Sequence, residues 1–571
     1  MGWLIVICLA SGVDGSVSEQ DRKEKDPLIS TMQQELERAR TELGKLNPAP
    51  YFMGYSVHDQ SIALAVGSQG SVVNSTRSRT RVADVIMRIG TPALDNTHQG
   101  NRFSAISSGL LPLNDDRDAI AHVLWQLTYE EYRKASQAYL NIKTGTRVRA
   151  PEEDTSPDFS QETPHIDSNN RELGPAPDQQ ALEKIVARYS GQFGKYPYVY
   201  SSLVMITVLR TQFRFVSSEG SHLTTPANTV VRLAIQAGTR AEDGMDLIRV
   251  ETFQVGNTDH LPAEAEITAR VEKMASDLKA LRDAPVAEPF DGPALLSGRA
   301  AAVFFHEVVG HRLEGNHQRG ELEGQTFTKQ VNQRVLPDFL SVIDDPTQRV
   351  LNGMDLGGWY LYDDEGTPAG RVELVKDGIL KSFLMSRMPI NNFAGSNGHG
   401  RAQAGLMAMG RQGNLLVSSS HTIKDSELRR QLIDQITKQG KPYGLYFEDI
   451  QGGFTLTQRV MPQVFQVLPV LVWRVYSDGR PDELVRGVDI VGTPLAVINR
   501  ILLTGEKTEV FNGMCGAESG TVPVSAAAPA MLFSEIEVQK RGHSLNRPPI
   551  LPPPGFETVD TTHSSKVGGP R

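Results

Sequence analysis

The sequence predicts an α+β chain, with helices and a mixed sheet in an α/β N-terminal domain and a mainly β C-terminal domain. Three observations predict it. Up to about residue 283, apolar residues at helical spacing alternate with strand-like segments. A proline-containing break, "DAPVAEPFDGP", then runs from 283 to 293. Beyond it the chain is glycine-rich with short apolar alternations. At 571 residues there is room for two to four domains. We place the two main ones at 26–288 and 289–541.

Residues 1–13 begin with "MGWLIVICLASG", an apolar run of signal-peptide length that ends in small residues but lacks a basic start. We read them as the remnant of a signal peptide, which predicts export to the periplasm. A buried first strand of a cytoplasmic protein is the alternative. Asp26-Pro27 has the form of a helix cap followed by proline. Leu28, Met32, Leu36, Ala39, Leu43 and Leu46 then follow at helical spacing. A second helix is expected over 116–141, carrying Ile120, Leu124 and Leu127. Residues 151–180 are polar, acidic and proline-containing, and read as a solvated insertion. From about 198, "SLVMITVLRTQFRFVSSEG", "VVRLAIQAG" and "MDLIRVETF" alternate as strands. A long helix with Ile267, Val271, Met274, Leu278 and Leu281 on one stripe closes the first domain. The tail, 542–571, is too rich in proline and polar residues to pack a core and is expected to be disordered.

Charge and hydropathy exclude some functions. The formal net charge is −9, which argues against nucleic-acid binding, since that needs clustered cations on phosphates. No run of 18 apolar residues exists, so no stable membrane span is expected. The cysteines are Cys8 and Cys515. Loss of the leader would leave Cys515 without an intramolecular disulfide partner.

The chemistry centres on "VFFHEVVGHRLEG", residues 303–315. Zinc-peptidase helices space their two histidines four apart, on one face. Here His306 and His311 are five apart, a rotation of about 140° on an ideal helix. Ser297 caps an apolar, buried helix that ends near Gly310, where glycine lets the backbone leave the helix and return His311 beside His306. Buried polar groups need partners, and a metal ion would satisfy His306, Glu307 and His311 together. The structural alternative is a core histidine with Glu307 paired to Arg312. Catalytic zinc takes three protein ligands and keeps one position for water. Cys515, flanked by Gly513 and Gly516, is the third candidate, and Glu314 is its rival.

Five stretches occur in a fixed order: "HEVVGHRLEG", "DDEGTPAG" at 363–370, "NGHGRAQ" at 397–403, "GGFT" at 452–455 and "CGAESGTVPVSAAAPA" from Cys515. Together they closely resemble the TldD branch of the TldD/PmbA metallopeptidases, once called modulators of DNA gyrase, over roughly 26–541. The resemblance implies His306, His311 and Cys515 as metal ligands and Glu307 as the catalytic base. It also implies hydrolysis of peptide bonds in short or unfolded peptides within an enclosed cavity. That cavity would belong to a homodimer, or to a heterodimer with a PmbA-like relative. One divalent ion is expected, zinc by its ligand set, with iron as the alternative. Asn397, His399 and Arg401 are candidate contacts to substrate or to a developing oxyanion. Two other classes are weighed: a non-catalytic scaffold subunit with a structural metal, and DNA-associated regulation, which the acidic balance disfavours.

Overall fold

The computed structural model describes residues 26–98, 106–145, 154–169, 176–320, 323–457 and 465–542, with 546–549, 551 and 554. The leader read at 1–13 and most of the tail read at 542–571 lie outside the described residues.

Helix α1 (Pro27–Leu43) begins where the cap signal places it. The carboxylate of Asp26 accepts a hydrogen bond from the Leu28 amide at 3.0 Å. Strands β1 (Pro50–Ser68) and β2 (Ser71–Thr91) form a long antiparallel hairpin. Helices α2 (Arg117–Gly145) and α3 (Gln179–Gln192) follow, then strands β3 (Ser201–Ser217), β4 (Asn228–Arg240) and β5 (Asp246–Val255), and helix α4 (Glu264–Asp283). The sheet is antiparallel in the order β2-β1-β3-β4-β5. One apolar cluster joins α1 and α2 to β1 and β2. A second joins α3 and α4 to β1, β3 and β4, through residues such as Val186, Ile206, Leu233 and Val271. Strand alternation has a direct consequence at β4. Val231 and Leu233 are buried in this second cluster, so Asn228, Val230 and Arg232 lie on the opposite face.

The second domain begins with strand β6 (Phe290–Leu296) and helix α5 (Gly298–Val308). Its sheet is built further from β7 (Leu340–Asp344), β8 (Asn414–Ser419), β9 (Gly444–Thr455), β10 (Phe465–Val475), β11 (Val488–Gly492), β12 (Ile501–Ala517) and β13 (Gly520–Lys540). Pairings run β6-β9-β10-β11-β13 and return from β13 to β6, closing a ring. Strand β12 pairs with β13 as a hairpin over most of its length. Helix α5 is buried from Ala300 to Val308. Its Phe304 meets the rings of Phe465 and Phe533 at 5.6 and 5.4 Å. Full burial of one such side chain contributes about 1.5–3 kcal/mol, so α5 is held in place by its packing.

The reading of 151–180 as solvated needs correction where the segment is described. Asp158, Phe159 and Ser160 are buried. The Asp158 carboxylate accepts from the Asp95 amide of the first domain and pairs with Arg319 of the second. The Phe159 ring lies 4.0 Å from the Arg387 guanidinium. Polar composition signalled solvent, and most of the described segment is exposed or half-buried, but Asp158 and Ser160 at its centre are matched by buried partners.

Candidate metal centre

Ser297 caps α5 as expected, its hydroxyl accepting from the Ala300 amide at 3.1 Å. The helix stops at Val308, and a 3-10 turn, Gly310–Leu313, carries His311. Past Val309 the 100° step per residue no longer applies, and the two imidazole centroids come to 4.9 Å. Gly310 is required by packing at this exit. A Cβ there would sit 2.7 Å from Nε2 of Gln412, and closer still to the rest of that amide.

Cys515 arrives from the other end of the domain on β12. Alternation aims its thiol: Gly513 and Cys515 are buried while Met514 and Gly516 are exposed. The flanking glycines are part of a regular strand, with Cys515 opposite Val522. One ligand atom from each of His306, His311 and Cys515 lies within 4.8 Å of the others, all three residues being buried. The thiol sulfur is 3.4 Å from Nε2 of His311.

Glu314 does not join this triad. Its fully buried carboxylate accepts from Nδ1 of His311 at 3.0 Å and faces Nε2 of His317 at 3.3 Å. That contact fixes the His311 tautomer and leaves Nε2 to face the thiol. His317 in turn meets Glu323 at 2.7 Å. Arg411, also fully buried, donates to the Cys515 sulfur at 3.3 Å and to its carbonyl at 2.8 Å. The alternative pairing of Glu307 with Arg312 is not found among the described residues: Arg312 donates to the carbonyls of Glu307 and Val308.

Burial alone would push the Cys515 thiol up, but His311 and His306 outweigh it and hold it well below the ordinary range. Burial drives each group toward its neutral form, favouring protonation of Glu314 and opposing that of His311. It lowers His311, yet Glu314 and Cys515 raise that imidazole well above its usual value. Burial raises Glu307, against the pull of the two histidines. The Glu307 side chain rests on Gly453 of "GGFT", where a Cβ would be 2.8 Å from its Cγ.

His306, Glu307, His311, His317 and Cys515 line a cavity of about 350 Å³ together with the ends of β9 and β12. The donor set fits a divalent ion of borderline softness: two imidazoles and a thiol. His306 adds a buried Nδ1 with no hydrogen-bond partner among the described residues.

Three sequence candidates are elsewhere. Asn397 uses its amide to bridge the backbone of Met385 and Phe383. His399 is fully buried, its Nε2 3.2 Å from Asp344 and its Nδ1 3.0 Å from Asn397. Arg401 donates to the Gln412 carbonyl and lies over the Tyr360 ring at 4.8 Å. None of the three lines the cavity, and their interactions are those of a folded glycine-rich loop. The sequence reading missed Arg411, His317 and Gln412. Only Arg411 and Gln412 left a trace, as polar residues directly before the apolar strand β8.

Known proteins resemble the chain in sequence and in fold. Residues 291–540 match the PmbA/TldA metallopeptidase C-terminal domain. A metalloprotease of Archaeoglobus fulgidus is 30% identical over 239 residues, covering 42% of this chain and 51% of that protein. A TldD-homologue metalloprotease of Haemophilus influenzae is 28% identical, over 43% of this chain and 48% of that protein. The match thus spans about half the length of these curated relatives. The crystal structure of TldE from Thermococcus kodakarensis superposes with a TM-score of 0.59 at 12% identity, covering 89% of this chain and all of that one. Over residues 291–540 the chain is thus similar in sequence to the PmbA/TldD metallopeptidases, and its fold is shared with TldE.

Proposed function

We propose that the chain is a metal-dependent peptidase acting on short or unfolded peptides. The observation that carries this reading is the meeting of His306, His311 and Cys515 within 4.8 Å, in one cavity with the carboxylate of Glu307. A divalent ion held by those three residues would supply Lewis acidity toward a scissile carbonyl and an attacking water. Glu307 then takes the water proton and returns it to the leaving amine, and its burial makes it a better base than an exposed glutamate. Glu314 and Arg411 keep the imidazole and the thiolate in place.

We take zinc as the ion, iron being the alternative. A second copy of the chain, or a PmbA-like relative, is proposed to complete an enclosed chamber. Export to the periplasm remains the proposal for localisation, tested by fractionating cells that express the full chain.

The test of function is metal content per chain in the wild type and in Cys515→Ala, followed by peptide cleavage with Glu307→Gln as control. About one ion in the wild type, reduced in the cysteine variant, with cleavage lost in the glutamate variant, supports the reading. Metal without cleavage of any unfolded substrate, with the partner present, favours a scaffold subunit. Unchanged cleavage by Glu307→Gln refutes the role of that residue.

A further inference from the structure

Nearly all of the cavity wall comes from the second domain. The exception among the described residues is Arg232, which reaches it from β4 of the first. Strand alternation puts it there, because Val231 and Leu233 on either side are committed to the apolar cluster behind the sheet. The guanidinium is half-buried, and its Nη1 is buried with no hydrogen-bond partner among the described residues. Its cross-strand neighbours are Thr207 and Gln254, which carry no charge. Among the described residues no carboxylate forms an ion pair with it, although Glu307 and Glu518 line the same cavity. The surroundings contrast with those of several buried arginines: Arg312 and Arg401 donate to backbone carbonyls. Arg81, Arg88, Arg249 and Arg319 each face a carboxylate within 3.3 Å.

Burying part of a guanidinium without a counter-charge is unfavourable, and arginine stays protonated whatever its surroundings. A permanent cation aimed into a cavity beside a hydrolytic site is completed by an anion that arrives with the substrate. For a peptide, that anion is a carboxylate, whose two oxygens match the fork of the guanidinium. We propose that Arg232 binds a carboxylate of the peptide substrate, holding a C-terminal or acidic residue beside the candidate metal centre. The inference rests on the peptidase reading and narrows its substrate class. It gives the first domain a part in specificity, while the chemistry stays with the second.

The test uses full-length Glu307→Gln protein, which binds without turnover. The probes are an unstructured octapeptide with one glutamate and a free C-terminus, its C-terminal amide, and its counterpart with glutamine for the glutamate. Affinities are compared in that background and with Arg232→Gln or Arg232→Lys added. One of the two neutralised peptides should bind about tenfold or more weakly than the parent, as expected for loss of a charge-assisted pair. Which one it is identifies the source of the carboxylate. That preference should vanish in Arg232→Gln and be partly kept in Arg232→Lys. Equal binding of all three peptides, with wild-type cleavage intact, overturns the inference alone. No binding and no cleavage by any form overturns the peptidase reading with it. A control separates a structural role: Arg232→Gln should melt at the wild-type temperature or above it, since no hydrogen bond or ion pair among the described residues is lost. A clearly lower melting temperature would also overturn the proposal.

Discussion

Replacing Gly310 by alanine tests how two histidines five residues apart come to share one site. The added Cβ would lie 2.7 Å from Nε2 of Gln412 and overlap the rest of its amide more closely. An unstrained contact needs roughly 3.5 Å or more, so one partner must move by about an ångström. Gln412 is fully buried and cannot swing into solvent, and the Gly310 backbone is fixed between α5 and the turn that bears His311. Overpacking of this kind costs about 1–3 kcal/mol, and each kcal/mol lowers the melting temperature of a domain this size by roughly 2–4 °C. A shift of His311 should also weaken metal binding, read by chelator competition. Thermal melts of Gly310→Ala, Gln412→Ala and the double variant supply the decisive assay. If the clash is the cause, the double variant is less destabilised than the sum of the singles by about 1 kcal/mol or more. Simple additivity, or a Gly310→Ala protein with unchanged melting and metal affinity, would refute the reasoning.

Other outcomes follow from the same geometry. Glu314→Gln removes the charge behind His311 and should weaken metal affinity about 10- to 100-fold, measured by competition with a chelator. Gly453→Ala pushes on Glu307 from 2.8 Å, so cleavage should fall by roughly 100-fold while metal content per chain is unchanged. Far from the cavity, Glu365 is pushed up to about 7 by burial, against the amide of Arg387 and its charge. A raised carboxylate means that the folded state holds the proton more tightly than the unfolded one between about pH 4.5 and 7. Stability should therefore fall as pH rises through that window, and Glu365→Gln should flatten the dependence in urea melts at pH 5 and pH 8.

Local chemistry was the most legible part of the sequence. The caps at Asp26 and Ser297 rest on short-range hydrogen bonds, and both are found. The stripe from Ile267 to Leu281 reads directly as the buried face of α4. At the centre, the odd spacing of His306 and His311 announced a helix end between them. The 204 residues between His311 and Cys515 carry no periodicity that could have joined them; donor type and resemblance did. Glu314 was weighed as a ligand because a carboxylate three residues from a histidine looks the same whether it binds metal or orients the ring. His399 misled for a related reason, since a polar residue between glycines reads alike facing a cavity or facing Asp344. Arg232 was hidden inside a strand whose alternation is ordinary, and its lack of a partner exists only in three dimensions.

The segment 154–169 has a mechanical consequence for the cleft. Asp158 is tied to Asp95 on one side and Arg319 on the other. Ser160 and Glu162 fasten the same strap to Arg387 and Ser396. Hinging the domains apart would strand these buried charges, a penalty that thermal motion does not supply. Arg232 and the histidine-cysteine cluster line one cavity from the two domains, whose walls are thereby held like the jaws of a locked caliper. For the peptidase proposed above, walls that do not part would limit entry by girth, so selection for unfolded substrate would act before any side chain is recognised.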